Sequence, residues 1–111
     1  MTKIHTYIAT FANHTITRKS PHHYGAAWLV SEADGSIHAK GFARDEGLAY
    51  AAAGSSMPRL ISARDARRLR SYHAGLAKEH GYKSAEAWVA AKRDQTQARR
   101  DAMTIEIAIL D

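Results

Sequence analysis

The segment TRKSPHHYG, Thr17–Gly25, combines residue types that can perform acid–base chemistry. It contains two cations, two adjacent histidines and a tyrosine: Arg18, Lys19, His22, His23 and Tyr24. An imidazole can exchange protons near neutral pH, a nearby cation can stabilise an oxyanion or a phosphorane, and a tyrosine can orient a substrate. Metal-independent ribonucleases use these residue types. One hypothesis is therefore a small metal-independent ribonuclease that uses His22 or His23.

A simpler interpretation of this segment is an exposed connection between two strands, and we favour it. Pro21 and Gly25 would set the backbone of the connection, and Tyr24 would pack its ring over the sheet edge. We expect no metal site, because His22 and His23 should point to opposite sides of an extended segment. The sequence also has no cysteine to complete a tetrahedral ligand set.

The second candidate is the segment RLISARDARRLR, Arg59–Arg70, which contains five arginines and one aspartate. On a continuous helix, one face would consist of Arg64, Arg67, Arg68 and Ser71, opposite Leu69 and Leu76. Guanidinium groups suit phosphates or carboxylates in two-point contacts, and Tyr72 could stack on bases. Asp65 can pair with Arg68, three residues on. The alternative is a solvated helix face that only improves solubility.

The charge distribution places most of the positive charge in the second half of the chain. Residues 1–55 carry five cations and four acids, whereas residues 56–111 carry eleven cations and seven acids. Such a basic region indicates a polyanionic partner or an acidic protein surface. The N-terminal segment MTKIHTYIATF alternates in polarity, which favours neither a signal peptide nor a membrane span. We therefore expect a cytoplasmic protein with no membrane association. The sequence has no glycine-rich phosphate loop, so we also expect no cofactor.

The hydrophobic pattern predicts five strands. They are Ile4–Ala12, Thr15–Lys19, Ala26–Ser31, Ile37–Phe42 and the final apolar run Met103–Leu110. The first four should form two hairpins in a meander, with turns at Asn13-His14 and Asp34-Gly35. The last strand should pair inside the sheet, because its apolar density suits no exposed edge. Pairing of this strand across a dimer interface remains open.

Three helices are expected between the fourth and fifth strands. Asp45 should cap the first helix, which Gly54 would end. Ser62 should cap the basic helix, which would run to Gly81 on the apolar stripe Ala66, Leu69, His73, Leu76 and Ala77. Ser84 should cap a third helix with Trp88 and Ala91 inward, and Val89 is a further candidate. The predicted fold is one α+β domain, residues 1–111, with an antiparallel sheet of about five strands packed against three helices.

Two resemblances add functional settings. The run KGFARDEGLAYAAAG resembles the last strand and helix of a double-stranded-RNA-binding domain. That family places a lysine pair at the start of this helix, whereas this sequence has Arg44, Asp45 and Glu46 there and lacks the family's leading helix. The run TRKS, followed by a tyrosine and the strand Ala26–Val30, resembles short orphan proteins of bacteriophages and plasmids. This second resemblance implies a setting in which small proteins, anti-CRISPR proteins among them, block host defences by binding.

Three functional hypotheses follow. The first is a non-enzymatic protein that engages nucleic acid or a nucleoprotein complex through Arg59, Arg64, Arg67, Arg68 and Tyr72, with Arg18 and Lys19 contributing. The second is an anti-CRISPR-like inhibitor in which the same arginines meet an acidic surface of a host defence protein. The third is the ribonuclease described above.

Overall fold

A computed structural model describes residues 2–110. The chain divides into two compact units, a sheet unit (Met1–Met57 with Ala102–Asp111) and a helical unit (Pro58–Asp101). The elements in chain order are β1 (His5–Thr10), β2 (Thr15–Ser20), β3 (Ala26–Ser31), β4 (Ile37–Ala43), α1 (Glu46–Ser56), α2 (Ala63–Arg68), α3 (Arg70–Glu79), α4 (Ala85–Ala102) and β5 (Thr104–Ile109). The predicted α+β class and five strands are confirmed, but the described residues form four helices. The single-domain expectation stays a prediction.

The three-stranded antiparallel sheet of the sheet unit has the order β4-β3-β5. β3 is central because small or branched apolar residues occupy both of its faces, and four of its six residues are buried hydrophobics. Its even-numbered positions face α1, where Ala26 and Val30 pack with Ala49 and Ala53. These alanines allow the helix to approach the sheet closely.

The other face of this sheet is covered by the hairpin β1-β2, which forms a separate two-stranded sheet. Ala9, Phe11 and Ile16 of the hairpin region are buried against Ala27 and Leu29 of β3. The two predicted hairpins are confirmed, but they lie in two separate sheets and do not form one meander. Residues 21–25 have no strand conformation, so β2 does not continue into β3. The hairpin instead buries its apolar face by stacking on the three-stranded sheet.

The turn of the first hairpin is wider than the Asn13-His14 turn predicted from sequence. β1 ends at Thr10 and pairs there with Thr15, so residues 11–14 form the loop. Inside it the Phe11 N–H donates to the His14 carbonyl at 2.7 Å. The wider loop changes the register by two residues and places Tyr7 opposite Arg18.

β5 lies at an edge of the three-stranded sheet, which contradicts its predicted interior position. It pairs with β3 alone in the residues that the structure describes, in a register that sets Ile107 opposite Trp28. Its apolar residues are needed because both of its faces are partly covered. Ile107 packs with the α1 side, and Ala108 packs with the hairpin side. Ile109 stays 60% exposed.

Helix α1 begins as predicted but does not end at Gly54. The Asp45 carboxylate accepts from the Leu48 N–H at 2.8 Å. Gly54 does not have the positive φ of a glycine stop, so the helix continues to Ser56. Met57 then adopts an extended conformation, which is the preference of a residue that precedes a proline.

In the helical unit, the predicted basic helix is interrupted. Ser62 caps α2, since its hydroxyl accepts from the Asp65 N–H at 3.0 Å. Leu69, with φ −104° and ψ 22°, separates α2 from α3. Gly81 follows the end of α3 with φ +81°, a conformation that favours glycine, as expected for a helix stop. Ser84 caps α4, whose Trp88 is buried in the core of this unit.

Candidate functional sites

The first candidate site, which we name the arginine face, lies in the helical unit. It consists of Arg59, Arg64, Arg67, Arg68 and Tyr72. All five residues are exposed, and Tyr72 is 63% exposed despite its large ring. Arg64, Arg67 and Arg68 follow helical spacing on α2 and therefore share one side of that helix.

The arginines of Arg59–Arg70 differ in their ionic partners. Arg68 donates from Nε and Nη2 to the Asp65 carboxylate, at 3.4 and 3.2 Å, as predicted. Arg70 pairs with Glu86 at 2.8 Å, which ties α3 to α4. Within residues 2–110, no carboxylate lies within ion-pair distance of the remaining three: Arg59, Arg64 and Arg67. These three guanidinium groups are available to an external anion.

The break at Leu69 changes the predicted helix face. Ser71 and Tyr72 belong to α3, so the arginine face takes Arg64, Arg67 and Arg68 from α2 and Tyr72 from the next helix. The arginine spacing inside α2 is unaffected.

His73 belongs to the core of the helical unit, as the sequence predicted. It is 4% exposed, and its ring stacks on Trp88 at 5.1 Å between centroids with an interplanar angle of 24°. The buried His73 Nδ1 has no hydrogen-bond partner among the described residues, and neither has the Trp88 Nε1. The position therefore supports a packing role.

The second candidate site is built around residues 21–25, which we name the histidine loop. The Tyr7 hydroxyl on β1 donates to the His22 carbonyl at 2.6 Å and accepts from the Tyr24 N–H at 3.3 Å. The buried Ser20 hydroxyl accepts from the His22 N–H at 3.1 Å. Two strands thus fix the backbone of this irregular loop.

The Tyr24 ring packs in an aromatic cluster, which confirms its predicted packing role. Its ring centroid lies 5.1 Å from that of Tyr7 and 5.7 Å from that of Phe42. The Arg18 guanidinium lies over the Tyr24 ring at 5.3 Å. Lys19 is on the opposite face of β2, because side chains alternate along a strand. The two cations therefore do not form one site.

A groove of about 640 Å³ opens beside the histidine loop. Its lining consists of His22, His23, Tyr24, Ala43, Arg44, Leu48 and Ala52. Both histidines line it because the loop is irregular and not extended as predicted. The His23 ring also contacts the His5 ring, with 4.9 Å between centroids. The groove therefore combines imidazole and guanidinium groups with an apolar wall.

Gly25 permits the close approach that forms this groove. Its N–H donates to the Ala43 carbonyl at 3.0 Å. A Cβ at this position would lie 2.5 Å from the Arg44 carbonyl oxygen, which is shorter than any tolerated contact. A residue without a side chain is thus required where the loop meets the end of β4.

The role of Tyr7 was not predicted from the sequence, and neither was a groove that brings His22 and His23 to Arg44. A two-residue turn at Asn13-His14 would have paired Tyr7 with Ser20 and hidden its contact with the loop. Arg44 joins the histidines only through the β3–β4 pairing. The glycine that follows HHY was the available signal, since it marks a close backbone approach.

Residues 2–110 contain no cluster of three or more His, Cys, Asp or Glu side chains that could hold a metal ion. No helix in the same range is long and apolar enough to cross a membrane. Comparisons with protein-family models, with curated proteins and with solved structures find no match to this chain. The two resemblances described above stay predictions, and functional proposals rest on the two sites.

Proposed function

We propose that the helical unit binds nucleic acid through the arginine face. The observation that carries this proposal is that Arg59, Arg64 and Arg67 are exposed and have no carboxylate partner among the described residues. An unpaired guanidinium can contact phosphate oxygens without first breaking an internal ion pair. Neutralised phosphates release counterions, which favours binding at low salt.

Tyr72 adds a second element to this proposal. Its ring is 63% exposed and stands next to the basic helix in sequence. Aromatic side chains in such a setting stack on unpaired bases, which contributes about 1–3 kcal/mol per base. We therefore expect single-stranded nucleic acid to bind more tightly than duplex.

The ion pair between Arg68 and Asp65 predicts that the arginines contribute unequally to nucleic-acid binding. Arg68 already donates to a carboxylate, and that carboxylate would repel a nearby phosphate. Arg64 and Arg67 carry neither restriction. Their loss should weaken binding more than the loss of Arg68.

The test is fluorescence anisotropy with labelled single- and double-stranded RNA and DNA over a salt series. The double variant Arg64→Ala/Arg67→Ala should lower the slope of log K against log salt by about two, since each lost phosphate contact contributes about one. The control Lys3→Ala/Lys40→Ala removes the same charge from the sheet unit and should leave the slope unchanged.

Two results would overturn the proposal. One is an absence of binding at low salt, and the other is an equal loss in the arginine and lysine variants. An acidic protein surface, as in the anti-CRISPR hypothesis, would be the next partner to test if nucleic acid does not bind.

A further inference from the structure

The groove beside the histidine loop has the charge of an anion site. Three of its lining side chains carry basic nitrogens, namely His22, His23 and Arg44, and no carboxylate lines it. The nearest acid in sequence, Asp45, uses its carboxylate to cap α1 through the Leu48 N–H at 2.8 Å. Glu46, the next acid along the chain, is exposed at the start of the same helix.

The remaining wall of the groove is apolar. Leu48 and Ala52 lie four residues apart and therefore share one side of α1, and Ala43 ends β4 beside them. Leu48 is 49% exposed, so part of its apolar side chain faces solvent at the groove. The groove, about 640 Å³, lies within the size range of small-molecule sites.

We propose that this groove binds a nucleoside monophosphate group, with the phosphate at His22, His23 and Arg44 and the base against Leu48 and Ala52. A guanidinium and two imidazoles suit the oxygens of a phosphate, and a planar base suits an apolar wall. The site lies entirely in the sheet unit and shares no residue with the arginine face. The proposal therefore goes beyond the proposed function and does not depend on it.

The site is pre-organised by residues that do not touch the ligand. The Tyr7 hydroxyl bonds to both the His22 carbonyl and the Tyr24 N–H, which limits the motion of the loop. Gly25 lets the loop lie against the Arg44 backbone. A site fixed in this way loses less conformational entropy on binding.

The experiment is a titration of the full chain with adenosine 5′-monophosphate, followed by two-dimensional amide NMR and calorimetry. Inorganic phosphate and adenosine are separate probes of the two halves of the site. We expect the monophosphate to bind more tightly than either probe, with shifts at residues 22–25, 44 and 48. Arg44→Ala should weaken binding about tenfold or more, and Arg44→Lys should restore part of the loss.

Matched variants separate this proposal from the first one. Arg64→Ala/Arg67→Ala should leave monophosphate binding unchanged, whatever its effect on oligonucleotides. Leu48→Ala should weaken the monophosphate and adenosine but leave inorganic phosphate unchanged. His23→Ala provides a second test of the phosphate contact if Arg44→Ala does not fold.

The phosphate could belong to a free nucleotide or to the end of a nucleic-acid strand. The Arg64→Ala/Arg67→Ala variant distinguishes the two, because it lacks the arginine-face contacts with the strand. A 5′-phosphorylated oligonucleotide that binds more tightly than the monophosphate supports a strand end, and equal affinities support a free nucleotide. The proposal is overturned if the monophosphate does not bind at millimolar concentration, or if it binds equally well to folded Arg44→Ala and His23→Ala proteins.

Discussion

Replacement of His73 by phenylalanine tests the packing of the helical unit. The imidazole is 4% exposed and stacks on Trp88, and its Nδ1 has no hydrogen-bond partner among the described residues. A buried polar atom without a partner costs about 1–3 kcal/mol. Phenylalanine keeps a ring at the same place and removes that cost. We therefore expect His73→Phe to raise the free energy of unfolding by about 1 kcal/mol.

Removal of the ring should have the opposite effect. A buried aromatic residue replaced by alanine costs about 3–5 kcal/mol. The substitution also removes the cost of the buried Nδ1, which offsets part of this loss. His73→Ala should therefore lower the free energy of unfolding by about 2 kcal/mol.

The assay is urea denaturation followed by tryptophan fluorescence and circular dichroism. Tyr72→Ala is the matched control, because it removes an exposed ring from the same helix and should change stability by less than about 0.5 kcal/mol. A loss of more than about 1 kcal/mol in His73→Phe would refute the reasoning, since it would mean that the imidazole makes a polar interaction that the ring cannot replace.

Three further predictions concern the sheet unit. Gly25→Ala should lower the free energy of unfolding by about 1–3 kcal/mol in urea denaturation, because its Cβ would meet the Arg44 carbonyl oxygen at 2.5 Å, and a neutral effect would contradict this. Tyr7→Phe should weaken monophosphate binding and broaden the amide signals of the histidine loop while the fold persists; unchanged signals would show that the hydroxyl does not hold the loop. The pKa of Asp34 is lowered from its ordinary value of 3.8, mainly by a hydrogen bond from the Ser36 hydroxyl and secondly by one from the Ser36 N–H. The stabilisation of the turn by these bonds is present above the ordinary value and is lost as the pH falls through the lowered value. Ser36→Ala should raise the pKa of Asp34 in a carboxyl NMR titration, and an unchanged value would contradict this cause.

Local sequence signals predicted most element positions in this chain. The apolar segment at Ala26–Ser31 matches β3, and the caps at Asp45, Ser62 and Ser84 are confirmed. These features depend on residues within one turn or one strand. The interruption at Leu69 could not be predicted, because neither proline nor glycine marks it.

The assembly of the strands was predicted less well, because partners depend on distant contacts. The alternation in the first hairpin indicates one buried face, but it does not tell whether the strands extend a sheet or stack on it. The apolar residues of β5 are likewise ambiguous, because an interior strand and an edge strand covered on both faces have the same pattern. Stacking and coverage are decided by Ala27 and Leu29 of β3, which offer a second apolar face.

The candidate sites also contain features that local spacing predicts and features that depend on distant contacts. The exposure of Arg64 and Arg67 follows from helical spacing and was predictable. The pair formed by Arg70 and Glu86 joins two helices and was not. The groove beside the histidine loop needed the register of β3 and β4, which brings the loop to Arg44.

The salt dependence of oligonucleotide binding tests the central claim most directly. Wild-type protein and the Arg64→Ala/Arg67→Ala and Lys3→Ala/Lys40→Ala variants would be compared by fluorescence anisotropy with one labelled single strand from low to high salt. The predicted result is binding that weakens linearly on a log–log plot, with a slope lower by about two in the arginine variant alone. Binding that is absent at low salt, or a slope that falls equally in both variants, would contradict the role assigned to the arginine face.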